Sequence, residues 1–148
     1  MLDFKIPPVL VLTISAGFIV GIPYILPFYG IRSIWLCVCF IVPGIAIALS
    51  GVWEFVKSKT TLNPTTPQKS SHIVDTGIYR FSRNPMYLGM VLILAGLVFA
   101  WGNYLSWLGV AGFVAYITHF QIVPEEKILK EIYGEEYKEY IRKVRRWL

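Results

Sequence analysis

Charge is absent from the chain in long blocks. No residue is charged at neutral pH from Ile6 to Ile31, from Ser33 to Trp53, or from Asn84 to Pro124. Such runs exclude an ordinary water-soluble domain, because about 20 apolar residues suffice to cross a bilayer. The third run is too long for one span and suits two, with Trp101-Gly102-Asn103 as the hairpin turn. Membrane helices are expected near 7–29, 33–55, 86–101 and 104–123, the third short enough to be tilted or partly covered by its neighbours. The first run has no small-x-small cleavage pattern behind it, and its apolar core is longer than that of a signal peptide, so it reads as a span.

Other absences narrow the chemistry. There are 2 cysteines, Cys37 and Cys39, and 2 histidines, His72 and His119. The cysteines stand at i and i+2 inside the second apolar run, where a helix points them to different faces; they read as small apolar filler and not as a disulfide or metal pair. No metal site is expected. No Gly-x-Gly-x-x-Gly fingerprint occurs, so nothing indicates a Rossmann-type nucleotide site.

The charges that are present lie in a few places. Lys57, Lys59, Lys69, Arg80 and Arg83 fall between the second and third spans; Lys127, Lys130, Lys138, Arg142, Lys143, Arg145 and Arg146 fall after the fourth. The third-to-fourth turn has no Lys or Arg, and the first-to-second turn has only Arg32. The positive-inside rule then puts both termini and the 57–85 connection in the cytoplasm. A net charge of +5 so distributed meets anionic lipid headgroups and requires no nucleic acid. Glu54, one turn from the end of the second span, reads as an acid that snorkels to the interface. Lys57 to Ser71 is a polar loop with two prolines, Pro64 and Pro67, and His72 after it is a candidate loop anchor.

The stretch GIYRFSRNPMYLG, from Gly77 to Gly89, places two arginines at the door of an apolar run. Asn84-Pro85 marks a helix start. The free backbone N–H groups there, beside Arg83, suit an anion such as a carboxylate. Gly77 and Gly89 permit close backbone approach, to a ligand or to another helix. Tyr79 and Tyr87 offer flat apolar faces with polar tips. The same residues also fit a plain interfacial anchor. After Pro124 the pattern becomes an amphipathic helix, with Ile128, Leu129, Ile132, Tyr133, Tyr137, Tyr140, Ile141 and Val144 on one face. Glu125 and Glu126 fall where the first turn of that helix would be, which taken alone is a helix-start signal.

As an ordered set these elements resemble the superfamily of integral membrane methyltransferases that includes the isoprenylcysteine carboxyl methyltransferases and the phospholipid N-methyltransferases. The matching residues are Gly77 and Tyr79; Arg83, Asn84 and Pro85; Tyr87 and Gly89; Glu125, Glu126 and Leu129; and Gly134, Glu135, Glu136, Tyr137 and Tyr140. The resemblance covers about residues 57–148. It implies an all-α integral membrane protein in one domain: two N-terminal helices over 1–56, and a methyltransferase-like core over 57–148 whose C-terminal amphipathic helix caps a cytoplasmic-side cofactor pocket. It implies S-adenosylmethionine as methyl donor and a small lipophilic or lipid acceptor entering from the bilayer. Gly77, Tyr79, Arg83, Asn84, Pro85, Tyr87, Gly89, Glu125, Glu126 and Leu129 are then the cofactor-binding candidates, with His119, Glu126 and Arg142 the candidates for catalysis. Glu125 or Glu126 would meet the donor's ammonium, and Arg83 or the free N–H groups its carboxylate.

The overall resemblance favours an isoprenylcysteine-carboxyl type, with phospholipid amine methylation a close second. Two departures weigh against a prenylcysteine acceptor: Asn84 stands where that branch has histidine, and His119 and Gln121 stand where it has an arginine before the paired glutamates. A sterol-reductase-like enzyme using NADPH and a non-enzymatic scaffold are the competing classes. Stabilisation by S-adenosylhomocysteine, by NADPH or by neither separates the three.

Overall fold

A computed structural model describes residues 6–58 and 73–148. Lys59, Lys69, His72 and most of the polar loop lie outside the described residues. The described chain is helical: α1 Pro8–Ile25, α2 Ile34–Lys57, a 3-10 turn Gly77–Arg80, α3 Pro85–Trp101, a short 3-10 turn Tyr104–Ser106, α4 Trp107–Ile117, a π-turn Thr118–Ile122, α5 Val123–Tyr133 and α6 Glu135–Lys143. Strand pairing among the described residues is one isolated bridge, Tyr29 to Asn103.

The helix limits follow from local chemistry. Ser33 caps α2 by accepting from the Leu36 N–H, and Pro85 occupies the first turn of α3, where its missing N–H costs nothing. Gly102 ends α3 in the left-handed conformation at φ 64°. The first helix stops at Ile25, short of the expected 29. Leu26 is extended, the conformation favoured before a proline, and Pro27 follows it.

Among the described residues three helices are long and apolar enough to cross a membrane: Pro8–Ile25, Ile34–Lys57 and Tyr104–Tyr133; Pro85–Trp101 is apolar but shorter. That last helix is the one expected to need cover, and it packs most extensively against α2. Glycine makes this approach possible. A Cβ on Gly44 would lie 2.8 Å from the carbonyl oxygen of Gly89, and one on Gly89 would strike the backbone of Gly44. The core is built from α1, α3 and α4, around Ile19, Leu94, Val98, Phe113 and Ile117.

One expectation is corrected here. The fourth span was to end at Pro124 and a new helix begin, yet the helix continues from Tyr104 to Tyr133. A proline inside an α-helix clashes with the carbonyl four residues back. The π-turn at Thr118–Ile122 lies just before Pro124 and widens the helix there, with the Val123 N–H donating to the Thr118 carbonyl. Glu125 and Glu126 therefore sit within a continuing helix and do not mark a helix start.

The connections fix which ends meet. The Gly30 N–H donates to the Gly102 carbonyl at 2.7 Å, and the Tyr104 N–H to the Phe28 carbonyl at 3.0 Å, at one end of the bundle. At the other end Gln121 Nε2 donates to the Ile6 carbonyl at 2.9 Å. The end of α2, the Gly77–Arg80 turn, the start of α3, the end of α4 and α6 share this second end.

Candidate active site

The residues of the Gly77–Gly89 stretch form the floor of this end. Arg83 donates its backbone N–H to the Arg145 carbonyl at 3.1 Å, and Asn84 Nδ2 donates to the Arg146 carbonyl at 3.0 Å. The Asn84 N–H is held by Ser82 Oγ at 3.1 Å, and Ser82 is buried. The tail after α6 is thus tied against the start of α3. A second tie comes from the Tyr140 hydroxyl, which donates to the Tyr79 carbonyl at 2.7 Å. Tyr137, Tyr140 and Val144 bury themselves against Ile73, Leu129, Tyr133 and Ile141.

At the centre is Glu126, 6% exposed. Arg146 grips its carboxylate with two parallel bonds, Nε to Oε1 at 3.0 Å and Nη2 to Oε2 at 2.8 Å. Arg83 Nη2 lies 3.2 Å from the same Oε1. A buried carboxylate needs such partners, since desolvating it alone is costly. Two guanidinium groups on one carboxylate leave one positive charge over, and Glu125 is the next residue along.

Arg83 is itself buried, with its side chain 8% exposed. Its Nε and Nη1 are buried without a hydrogen-bond partner, as are the hydroxyls of Tyr79 and Tyr116. Buried donors are nearly always paired, so two unpaired nitrogens on one buried guanidinium call for a reason. Nε and Nη1 lie on different edges of the guanidinium, so each is a separate donor for an anionic oxygen. Burial pushes the hydroxyls of Tyr79, Tyr137 and Tyr140 above the ordinary tyrosine value, with Glu125 adding to the effect at Tyr79 and Glu126 at Tyr137. They stay protonated through the neutral range and serve as hydrogen-bonding groups, not as bases. The bonds to Glu126 likewise raise Arg146.

The sequence-predicted residues divide. Tyr79, Arg83, Asn84, Glu125 and Glu126 come together; Pro85 is buried at the start of α3 beside them, and Tyr87 is half-buried against the bundle core. Gly89 serves the packing of α3 on α2, and Leu129 the packing of α6. Gly77, at φ 56°, faces Glu54: a Cβ there would strike that carboxylate. His119 is exposed in the π-turn with its ring edge-on to Phe120, and Arg142 is exposed on α6. Neither is gathered with Glu126. Arg146, which reads as a headgroup contact in sequence, takes the place beside Glu126.

The geometry can be set beside known proteins. A family model described as phospholipid methyltransferase matches residues 32–136, more than half of the chain. The match runs from the start of α2 into α6. It includes Arg83, Asn84, Glu125 and Glu126 and stops short of Arg142 and Arg146. A protein of Haemophilus influenzae described only as uncharacterized is 49% identical over 63 residues, which is 43% of this chain and 100% of that protein. No solved structure matches. The family match supports the amine-lipid alternative over the isoprenylcysteine-carboxyl type that the overall resemblance favoured.

Proposed function

The chain belongs to the phospholipid methyltransferase family, and on that premise we propose how this membrane enzyme, dependent on S-adenosylmethionine, holds its donor and which acceptor it uses. The acceptor in this reading is the amine of a phospholipid headgroup. The observation that carries the donor site is Arg83: a buried guanidinium with Nε and Nη1 unpaired, beside a carboxylate pair.

When bound, S-adenosylmethionine supplies an electrophilic methyl group on a sulfonium. Arg83 would hold the carboxylate of its methionine end through one of its two unpaired nitrogens. Glu125 would pair with the ammonium, because Glu126 is already engaged by Arg83 and Arg146. Tyr79 contributes a buried hydroxyl near Glu125. Methyl transfer is an in-line displacement: the acceptor would first give up its ammonium proton to water at the interface, and its nitrogen would then take the methyl as the carbon–sulfur bond breaks and S-adenosylhomocysteine leaves, so alignment is the protein's main contribution. The tail from Val144 to Trp147, tied to Arg83 and Asn84, closes the site from water. Lys57, Lys127 and Lys130 at this end support its placement on the cytoplasmic side. His119 and Arg142 have no part in this arrangement.

Calorimetric titration of the detergent-purified chain with S-adenosylhomocysteine tests it. Saturable binding is expected, weakened about tenfold or more by Arg83→Gln, since a charge-assisted pair is lost. Parent-like affinity in that variant would remove Arg83 from the donor site. Absence of binding by the folded parent would remove the donor site itself.

A further inference from the structure

Beside the donor site lies an open groove of about 510 Å³, lined by Leu49, Ser50, Trp53 and Glu54 of α2 and by Ile78 and Phe81. Its walls are apolar, and Leu49, Trp53 and Phe81 are all exposed, as residues facing lipid would be. Glu54 is the only acid among them.

The placement of Glu54 is unusual on several counts. Besides Lys57 it is the only charged residue of α2. It stands in the last turn, where the helix dipole disfavours a carboxylate. Among the described residues no cation pairs with it, and its carboxylate Oε2 accepts from Thr76 Oγ1 at 2.9 Å. Gly77 holds a left-handed conformation and, having no Cβ, leaves the space that the Glu54 carboxylate fills. A membrane helix therefore carries at its interfacial end an acid that no cation among the described residues neutralises, held in position by a neighbouring turn.

Glu54 also borders the chemistry. The next residue, Phe55, meets Tyr79 edge-on, with ring centroids 5.4 Å apart. Tyr79 is buried with its hydroxyl unpaired; burial pushes that hydroxyl up, and the Glu125 and, least, the Glu54 carboxylates add to the effect. Tyr79 follows Ile78 of the groove in the chain and feels the charges of both Glu54 and Glu125.

We propose that this groove is the acceptor headgroup site, in which Glu54 recognises the ammonium of an amine-bearing phospholipid; the inference rests on the methyltransferase reading above. The Glu54 carboxylate supplies the opposite charge, and Trp53 and Phe81 supply aromatic faces for the same cation. Leu49 and Ile78 border the start of the acyl chains. Glu54 is a positioning and specificity residue for the acceptor and takes no part in holding the donor.

The test is a pair of titrations on the detergent-purified full chain. One uses short-chain phosphatidylethanolamine below its micelle concentration, with short-chain phosphatidylglycerol as the anionic control; the other uses S-adenosylhomocysteine. The expected result is saturable binding of the amine lipid, weakened about tenfold or more in Glu54→Gln, with weaker binding of the glycerol lipid and an unchanged S-adenosylhomocysteine affinity. Ser50→Lys is the second variant: it places a cation in the groove, leaves the Thr76 contact of Glu54 intact, and should also weaken the amine lipid. Parent-like affinity for the amine lipid in both variants overturns the proposal, as does equal affinity of the parent for the two lipids. Failure of the parent to bind S-adenosylhomocysteine, with Glu54-dependent lipid binding intact, sinks the donor reading and leaves the headgroup site standing.

Discussion

Arg146 Nη2 lies 2.8 Å from Glu126 Oε2 while Arg146 Nε lies 3.0 Å from Oε1, so the two residues form a fork-to-fork pair. This pair, together with Arg83 on the same carboxylate, joins the end of the fourth membrane helix to the tail and to the start of α3. It leaves Glu126 committed to the protein and Arg83 with nitrogens to offer elsewhere.

Removing the shared acid should therefore be a stability lesion. Glu126→Ala strands the buried Arg83 and the partly buried Arg146, and loss of one member of a buried pair costs about 3–5 kcal/mol. Arg142→Ala, on an exposed helix face, should change stability by no more than about 0.5 kcal/mol. Thermal unfolding of both variants in one detergent checks the contrast; equal effects would contradict this account of the site.

Tyr140→Phe should cost about 1–3 kcal/mol, because the Tyr79 carbonyl would be left buried without its donor. The loosening should be local. Hydrogen exchange is expected to rise in the Gly77–Arg80 turn and in α6, and to stay at the parent level in α1.

Stability should fall at alkaline pH. The folded state raises the hydroxyls of Tyr79, Tyr137 and Tyr140, mainly by burial. Above about pH 10 the unfolded chain releases these protons while the folded chain keeps them. The folded state then binds more protons, so its stability declines as pH rises. The contribution is fully present below that pH. Tyr140→Phe removes one of the three groups, and its unfolding midpoint should fall less steeply between neutral pH and pH values above about 10.

The α2–α3 contact should tolerate no side chain at Gly44. Gly44→Val directs atoms at the Gly89 carbonyl and should cost at least the about 1–3 kcal/mol of an overpacked core. Gly112→Ala, within α4 and with nothing within 4 Å of its added Cβ, should be neutral or stabilising by up to about 1 kcal/mol. Melting temperatures of the two variants measure the difference.

Much of the architecture was legible in residue order. Charge-free runs mark the spans because a bilayer has a fixed thickness and tolerates few charges. Asn84-Pro85 marks the start of α3 because proline lacks an N–H and restrains the residue before it. The grouping of Tyr79, Arg83, Asn84 and the glutamate pair was likewise visible in an ordered motif. Other features were not. Pro124 reads as a helix start, yet the π-turn before it carries the helix through. Gly89 reads as a ligand contact or a helix contact with equal right, and only the backbone of Gly44 opposite decides between them. Glu54 reads as an interfacial acid until Gly77 is seen to make room for it.

The arginines show most clearly where sequence stops. Arg142 and Arg146 stand four residues apart, and an unbroken helix would put them on one face. The helix instead ends at Lys143, and Val144 is extended. That change of direction carries Arg146 back to Glu126 and leaves Arg142 in the open. Sequence determined that this is a helical membrane protein of the methyltransferase type, because hydrophobic length and motif order are local properties. Which cation meets which carboxylate depended on where a short helix ends and what it packs against, and only the tertiary structure decided it.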